Sequence, residues 1–201
     1  MWNRAGFAAL LLVAAGAPSL ALCADAQTPA CAAALDVIMG FAKGGKNQTP
    51  LIVASTPDTS ETKSYTTETL LQADWSAGPP AQPLADAFLS LPAQSVIDSC
   101  AGVQAELAKA KISSGDDAVA RVTAVDPDIV ALPSYGARVL SLSLPIVGAD
   151  GHDALVQESL CEGPNACTGA ILLLLKDKAG RWKEVSNTLS PTPDTTQAPP
   201  S

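Results

Sequence analysis

Histidine is nearly absent from this chain. His152 is the single histidine among 201 residues, although histidine supplies most general bases and many metal ligands in proteins. It stands in the sequence Asp-Gly-His-Asp at 150–153, which predicts a solvated hairpin turn. The alternative is a Ser/His/Asp triad with His152 as the base and Asp150 or Asp153 as the orienting acid, but the Gly-x-Ser-x-Gly motif is missing. The sequence thus argues against serine catalysis.

Aromatic residues are scarce as well, at 4% of the chain. Phe88, Tyr135 and Trp182 lie in or beside segments that are predicted to build the core, so we interpret them as core residues. Tyr65 and Trp75 flank polar or proline-rich segments instead. We expect these two to be the exposed aromatic side chains that contact a partner.

Positive charge is in short supply. The formal net charge is −8, and lysine and arginine form no cluster that would locally reverse it. Such a surface repels phosphate backbones, which makes nucleic acid an improbable class of partner. A phosphate-binding glycine motif is missing too, because Gly44-Gly45-Lys46 lacks the required spacing and is interpreted as a helix stop.

Acidic residues occur in three pairs: Asp116 with Asp117, Asp126 with Asp128, and Asp150 with Asp153. Paired carboxylates can perform acid–base chemistry or bind calcium, but no segment follows the Asp-x-Asp-x-Asp-Gly order of a calcium loop. We interpret the pairs as helix-end and turn residues. No metal and no cofactor is predicted.

Long apolar runs are confined to the N-terminus. Arg4, the apolar residues 5–17 and the small residues before position 27 have the order of a cleavable signal peptide over residues 1–26, with cleavage after Ala26. The apolar stretch is too short to span a membrane. A lipid anchor on Cys23 is the alternative, but Leu22 stands where a lipobox requires a small residue. We expect a protein of the periplasm or the exterior, with no transmembrane span.

Four cysteines remain once Cys23 is removed with the leader. An even number in an exported chain predicts two disulfides. The two bonds expected are Cys31–Cys100, between the apolar stripes of two helices, and Cys161–Cys167, across a turn-rich loop. The alternative, a redox-active dithiol, requires Cys-x-x-Cys rather than the Cys-x5-Cys seen here. Zinc is disfavoured because oxidised cysteines cannot bind it.

The hydrophobic pattern predicts helices first and strands later. Helices are expected over 29–43, 84–91 and 96–111, with a short strand at 51–54 and a polar loop or edge hairpin at 56–68. Four strands follow: an alternating one at 139–146, then 154–160, a continuously apolar strand at 170–175 that is covered on both faces, and 181–185. Residues 27–189 are predicted to form one α+β domain. Its N-terminal helices pack on a four-stranded, possibly five-stranded, antiparallel meander, and 190–201 form a disordered tail.

The C-terminal third resembles a loose group of uncharacterised exported bacterial proteins. The likeness covers about residues 134–189: the alternating strand, the Ala154-Leu155-Val156 strand, a cysteine-containing turn, the apolar strand and the Gly180-Arg181-Trp182 hairpin exit. The resemblance implies the meander and the export, and it implies no activity.

The function expected from these observations is binding without catalysis. A disulfide-linked exported domain with no assembled catalytic set suits an envelope or secreted protein that binds a protein or a small molecule. The second hypothesis is a carboxylate-based hydrolase of cell-wall or carbohydrate substrates, which requires two acids that converge in a cleft. The third is an inhibitor or immunity-type protein that presents the Cys161–Cys167 loop.

Overall fold

The computed structural model of the protein describes residues 28–44, 49–123, 136–163 and 166–188. The predicted signal peptide, Cys23, the Asp126/Asp128 pair, Tyr135 and the predicted tail lie outside these ranges. None of the helices in these ranges combines the length and the hydrophobicity that a membrane span requires.

The described ranges contain six α-helices, one 3-10 turn and seven strands. The helices are α1 (Pro29–Gly44), α2 (Thr67–Leu71), α3 (Gln82–Ser90), α4 (Val96–Ser99), α5 (Ala101–Lys109) and α6 (Asp116–Thr123), and the 3-10 turn is Thr62–Ser64. The strands are β1 (Leu51–Val53), β2 (Ser113–Ser114), β3 (Arg138–Leu142), β4 (Ile146–Val147), β5 (Asp153–Gly163), β6 (Ala166–Lys176) and β7 (Trp182–Asn187).

Helix α1 begins and ends where the sequence indicates. The Thr28 hydroxyl accepts a hydrogen bond from the Cys31 amide at 3.2 Å, which satisfies one of the free N–H groups of the first turn. Cys31, Ala34 and Ile38 are buried along one stripe, and the helix stops at Gly44.

The predicted helix over 96–111 is broken at Cys100, so the expectation of one continuous helix is wrong. Cys100 leaves the helical conformation, with φ −128° and ψ 80°, and separates α4 from α5. The break frees backbone carbonyls of α4, and the Gln104 side-chain amide donates a 2.5 Å hydrogen bond to the carbonyl of Ile97. The polar stretch before α3 likewise differs from the predicted loop or hairpin, since it contains the 3-10 turn and α2.

The sheet is mixed, which corrects the expected antiparallel meander. Its order is β2-β1-β3-β5-β6-β7, and β4 also pairs with β5. β1 pairs in parallel with both β2 and β3, whereas β3, β5, β6 and β7 pair antiparallel in sequence. The parallel pairs arise because helices connect β1 to its neighbours, and such connections return the chain in the same direction.

The predicted strand over 139–146 is interrupted. β3 ends at Leu142, and β4 resumes on the same edge of β5. Between them the Leu144 amide donates to the carbonyl of Gln94 at 2.8 Å, outside the sheet, and Pro145 has no N–H to donate.

Helices cover both faces of the sheet. On the "α1 face", α1, α4 and α5 pack over a core that includes Leu140, Leu172 and Leu174. On the "α3 face", α2 and α3 pack over Leu155, Ile171 and Leu173, and α6 covers Ile52 nearby. The prediction that the apolar strand over 170–175 is buried on both faces is confirmed for 170–174, whereas Leu175 is exposed. The α+β class is confirmed as well.

Both predicted disulfides are present. Cys31–Cys100 joins α1 to the junction of α4 and α5 within the core of the α1 face. Cys161–Cys167 joins two residues that are direct partners on β5 and β6.

Candidate ligand-binding groove

The two aromatic residues predicted to contact a partner are placed differently from expectation. Trp75 is 7% exposed, and its indole N–H donates to the carbonyl of Leu70 at 2.7 Å. The expected exposure of Trp75 is therefore wrong, because α2 and α3 enclose the residue. Tyr65 is half-buried at the edge of the same cluster. A partner role for either residue stays a prediction.

The remaining candidates from the sequence lie at turns and helix ends. His152 is exposed in the turn between β4 and β5, and its amide donates to Asp150 Oδ1 at 2.9 Å. Asp116 begins α6, where it accepts hydrogen bonds from Ser55 and Thr56. Across the described ranges, no group of three or more histidine, cysteine or acidic residues is arranged to hold a metal ion.

A wide groove lies between α1 and the α1 face of the sheet. Its volume is about 860 Å³, which lies in the range of about 300–1,000 Å³ that is usual for small-molecule sites. One wall is formed by Asp36, Val37, Gly40, Phe41 and Gly44 of α1, together with Thr49; the floor and the other wall are formed by Arg138, Leu160, Glu162, Trp182, Lys183 and Glu184.

Two glycines shape the helical wall. Gly40 lies within α1 and Gly44 at its end, one turn apart on the face that lines the groove. A Cβ built on either residue would meet no atom within 4 Å. Packing therefore does not require glycine at either position, although glycine in the helix interior, as at position 40, costs about 1 kcal/mol relative to alanine. The absence of side chains at these positions widens the groove.

The apolar surface of the groove comes from Phe41, Leu160 and Trp182. Trp182 is 4% exposed, and its backbone amide donates to Asp36 Oδ2 at 2.8 Å, which ties the start of β7 to α1. The Lys176 ammonium lies 5.1 Å from the centroid of the indole ring and gives a cation–π contact. The indole N–H is buried and has no hydrogen-bond partner among the described residues.

Arg138 is a positively charged residue of the groove that is almost fully buried. It opens β3 and is 8% exposed. Its Nε is buried without a hydrogen-bond partner. Within the ranges described, its guanidinium forms no ion pair, because no carboxylate oxygen lies within 4.0 Å of it. An arginine stays charged in proteins, and a buried charge without a partner is strongly destabilising.

Three acids also line the groove, but two have protein partners. Asp36 accepts the Trp182 amide, and Glu184 accepts a 2.6 Å hydrogen bond from the side chain of Asn187. Glu162 is exposed to solvent. The groove thus contains acids that are hydrogen-bonded or exposed, beside an almost fully buried arginine whose Nε has no partner among the described residues.

A fourth acid, Glu158, lies below this surface. It pairs with Leu142 and Ala170, two residues of the α1-face core, so its side chain points to that face. Burial raises the pKa of Glu158 to about 7, and the negative charges of Glu184 and Glu61 add to the effect. Its Oε2 is buried and lacks a partner in the part of the chain that the structure describes.

A smaller cavity of about 270 Å³ lies on the α3 face between α3 and the β3–β4 connection. Phe88, Leu91, Leu144 and Gln157 are among the residues around it. Gln157 is 1% exposed, and both polar atoms of its side chain are buried with no partner among the described residues. The side-chain amide therefore has no hydrogen-bond partner although the residue borders the cavity.

Sequence reasoning did not find the groove. The sequence holds two signals of the groove: a glycine inside a helical pattern, and an arginine at the start of an apolar strand. Neither indicates a site alone, because the two are about a hundred residues apart in sequence and meet only when α1 packs on the sheet.

Comparisons with known proteins add no relationship: no family model, curated protein or solved structure matches this chain.

Proposed function

We propose that this protein binds a small organic molecule in the groove between α1 and the sheet. The observation that carries the proposal is the open space beside Gly40 and Gly44; packing does not require glycine at either position, and glycine at the interior position 40 lowers the stability of α1. The apolar surfaces of Phe41 and Trp182, with a few charged groups around them, are typical of such sites.

The test is to fill the groove from the helix. Gly40→Trp places a large side chain in the open space, whereas Gly40→Ala improves helix propensity and leaves most of that space free. A set of small organic compounds is screened by thermal unfolding against the wild type and both variants. A bound ligand at a hundred times its Kd adds about 2.7 kcal/mol of stability.

We expect compounds that raise the melting temperature of the wild type and of Gly40→Ala but not that of Gly40→Trp. A screen without any such compound contradicts the proposal. Stabilisation that survives in Gly40→Trp places the ligand elsewhere and contradicts it as well.

A carboxylate-based hydrolase is the second candidate, because Asp36, Glu162 and Glu184 line one groove. The hydrogen bonds that engage Asp36 and Glu184 favour binding over this alternative. Analysis of each stabilising compound for breakdown products distinguishes the two. An inhibitor that uses the Cys161–Cys167 loop stays a prediction.

We also propose that the protein is exported to a bacterial periplasm or the exterior. The two disulfides support an oxidising compartment, and the N-terminal pattern supports a cleaved leader. Mass spectrometry of the mature protein should find Gln27 as the first residue. A diacylated Cys23 would replace this proposal with a lipoprotein.

A further inference from the structure

We infer that the groove selects a monocarboxylate with an apolar body, and that Arg138 binds its carboxylate. This inference rests on the proposed function, since it names the class of ligand for the same groove. Arg138 is more than nine-tenths buried and lines the groove, and its side chain forms no hydrogen bond or ion pair with any described residue.

The neighbouring strand makes this lack of a partner informative. Val139 of β3 pairs with Cys161 of β5, and the residues next to this pair, Arg138 and Glu162, both line the groove. The two side chains nevertheless form no ion pair within the described ranges, and Glu162 stays in solvent. The N–H groups of the guanidinium are therefore available to a ligand that enters the groove.

The chemistry of the donors favours a carboxylate. A guanidinium offers a planar fork of N–H groups that matches two carboxylate oxygens. The second cation of the groove, Lys183, is 3.3 Å from Asp177 and is already paired. The apolar body of the ligand would lie against Phe41, Leu160 and Trp182.

The surrounding acids limit the charge of the ligand. Asp36, Glu162 and Glu184 repel anions, and this repulsion grows with the charge that the ligand carries. A single negative charge is the one that Arg138 can neutralise. A phosphate or phosphonate dianion would leave one charge facing three acids.

The experiment compares four probes with one body and four head groups. These are 3-phenylpropionate, its uncharged amide, 3-phenylpropylamine and 2-phenylethylphosphonate, each titrated into the full protein by calorimetry. We expect the carboxylate to bind at least tenfold more tightly than the other three. Gly40→Trp should abolish that binding, which assigns it to the groove.

Two arginine variants test the residue itself. Arg138→Met keeps a long apolar stem and should lower the carboxylate affinity to that of the amide, without changing the affinity for the amide. Arg138→Lys keeps the charge without the fork and should retain part of the preference. The melting temperature of Arg138→Met should equal or exceed that of the wild type, because the variant removes an unpaired buried cation.

Four results would overturn the inference: tightest binding by the amine, equal binding of amide and carboxylate, no effect of Arg138→Met on carboxylate affinity, or no binding of any probe. Equal binding of amide and carboxylate that Gly40→Trp abolishes would leave the proposed function standing. The proposed function is tested separately by the compound screen with Gly40→Trp and Gly40→Ala, which finds no stabilising compound if the groove binds nothing.

Discussion

The two faces of the sheet both bury polar groups, but the groups differ in charge and in access. The α1 face holds Arg138 and Glu158 beside an open groove. The α3 face holds the neutral amide of Gln157, which is buried beside the smaller cavity between α3 and the β3–β4 connection. The charged groups, which cost more to bury than a neutral amide does, thus lie on the face with the larger groove, and the neutral amide lies on the face with the smaller cavity.

Each face also has a disulfide beside it, and the two close loops of very different length. Cys31–Cys100 lies in the α1-face core and spans 69 residues. Cys161–Cys167 spans 6 residues, and Cys161 points away from α1 because side chains alternate along β5.

The largest expected effect comes from the longer loop. Cys31→Ala/Cys100→Ala should lower the free energy of unfolding by about 4 kcal/mol, because a disulfide lowers the entropy of the unfolded chain and this effect grows with the length of the loop that it closes. Cys161→Ala/Cys167→Ala should cost only about 2 kcal/mol. Urea unfolding of the two variants measures both values. Equal losses of unfolding free energy in the two variants would show that loop length does not determine how much each disulfide stabilises the protein.

Glu158 should make the α1 face sensitive to pH. Burial raises its pKa from 4.5 to about 7, so the folded state binds a proton that the unfolded state has released. Stability from this group is therefore full below pH 4.5 and falls as the pH rises to about 7. Glu158→Gln should be more stable than the wild type at pH 8, by on the order of 2–3 kcal/mol, and equal to it at pH 4.

Urea unfolding at several pH values tests this expectation. Glu162→Gln is the matched control on the same strand, because Glu162 is exposed and its removal should give no comparable pH dependence. A Glu158→Gln difference that stays constant from pH 4 to pH 8 would contradict the raised pKa.

The smallest effect belongs to the α3 face. Gln157→Met replaces the buried amide, which has no hydrogen-bond partner among the described residues, with an apolar side chain of similar length. The variant should therefore raise the free energy of unfolding by about 1 kcal/mol. The gain should be independent of pH, in contrast to that of Glu158→Gln. Thermal and urea unfolding measure it, and a loss of stability would mean that the amide has a partner in solution.

Much of the fold follows from local patterns in the sequence. The stripe of Cys31, Ala34 and Ile38 predicts α1, and the continuous apolar run of β6 predicts burial on both faces. The disulfides are predictable because turn-rich residues lie between Cys161 and Cys167, and because Cys31 and Cys100 share apolar stripes. Apart from the Cys31–Cys100 bond, which spans 69 residues, these features depend on neighbours within a few residues.

Other features depend on contacts between distant segments and were predicted wrongly or missed. Trp75 stands in a polar stretch, yet α2 and α3 close over it. The alternation over 139–146 continues past Leu142, although the Leu144 amide bonds to Gln94 outside the sheet. Periodicity records which side of a segment is apolar and does not record which other segment will cover it.

The sequence by itself determined the α+β class, the approximate helices and strands, and the pairing of four cysteines, because these follow from side-chain period and turn chemistry. Only the tertiary structure decided the parallel entry of β1, the burial of Arg138 without an ion pair, and its meeting with Gly40 across an open groove. The physical reason is that the cost of an unpaired buried charge exists only after packing has removed the water around it.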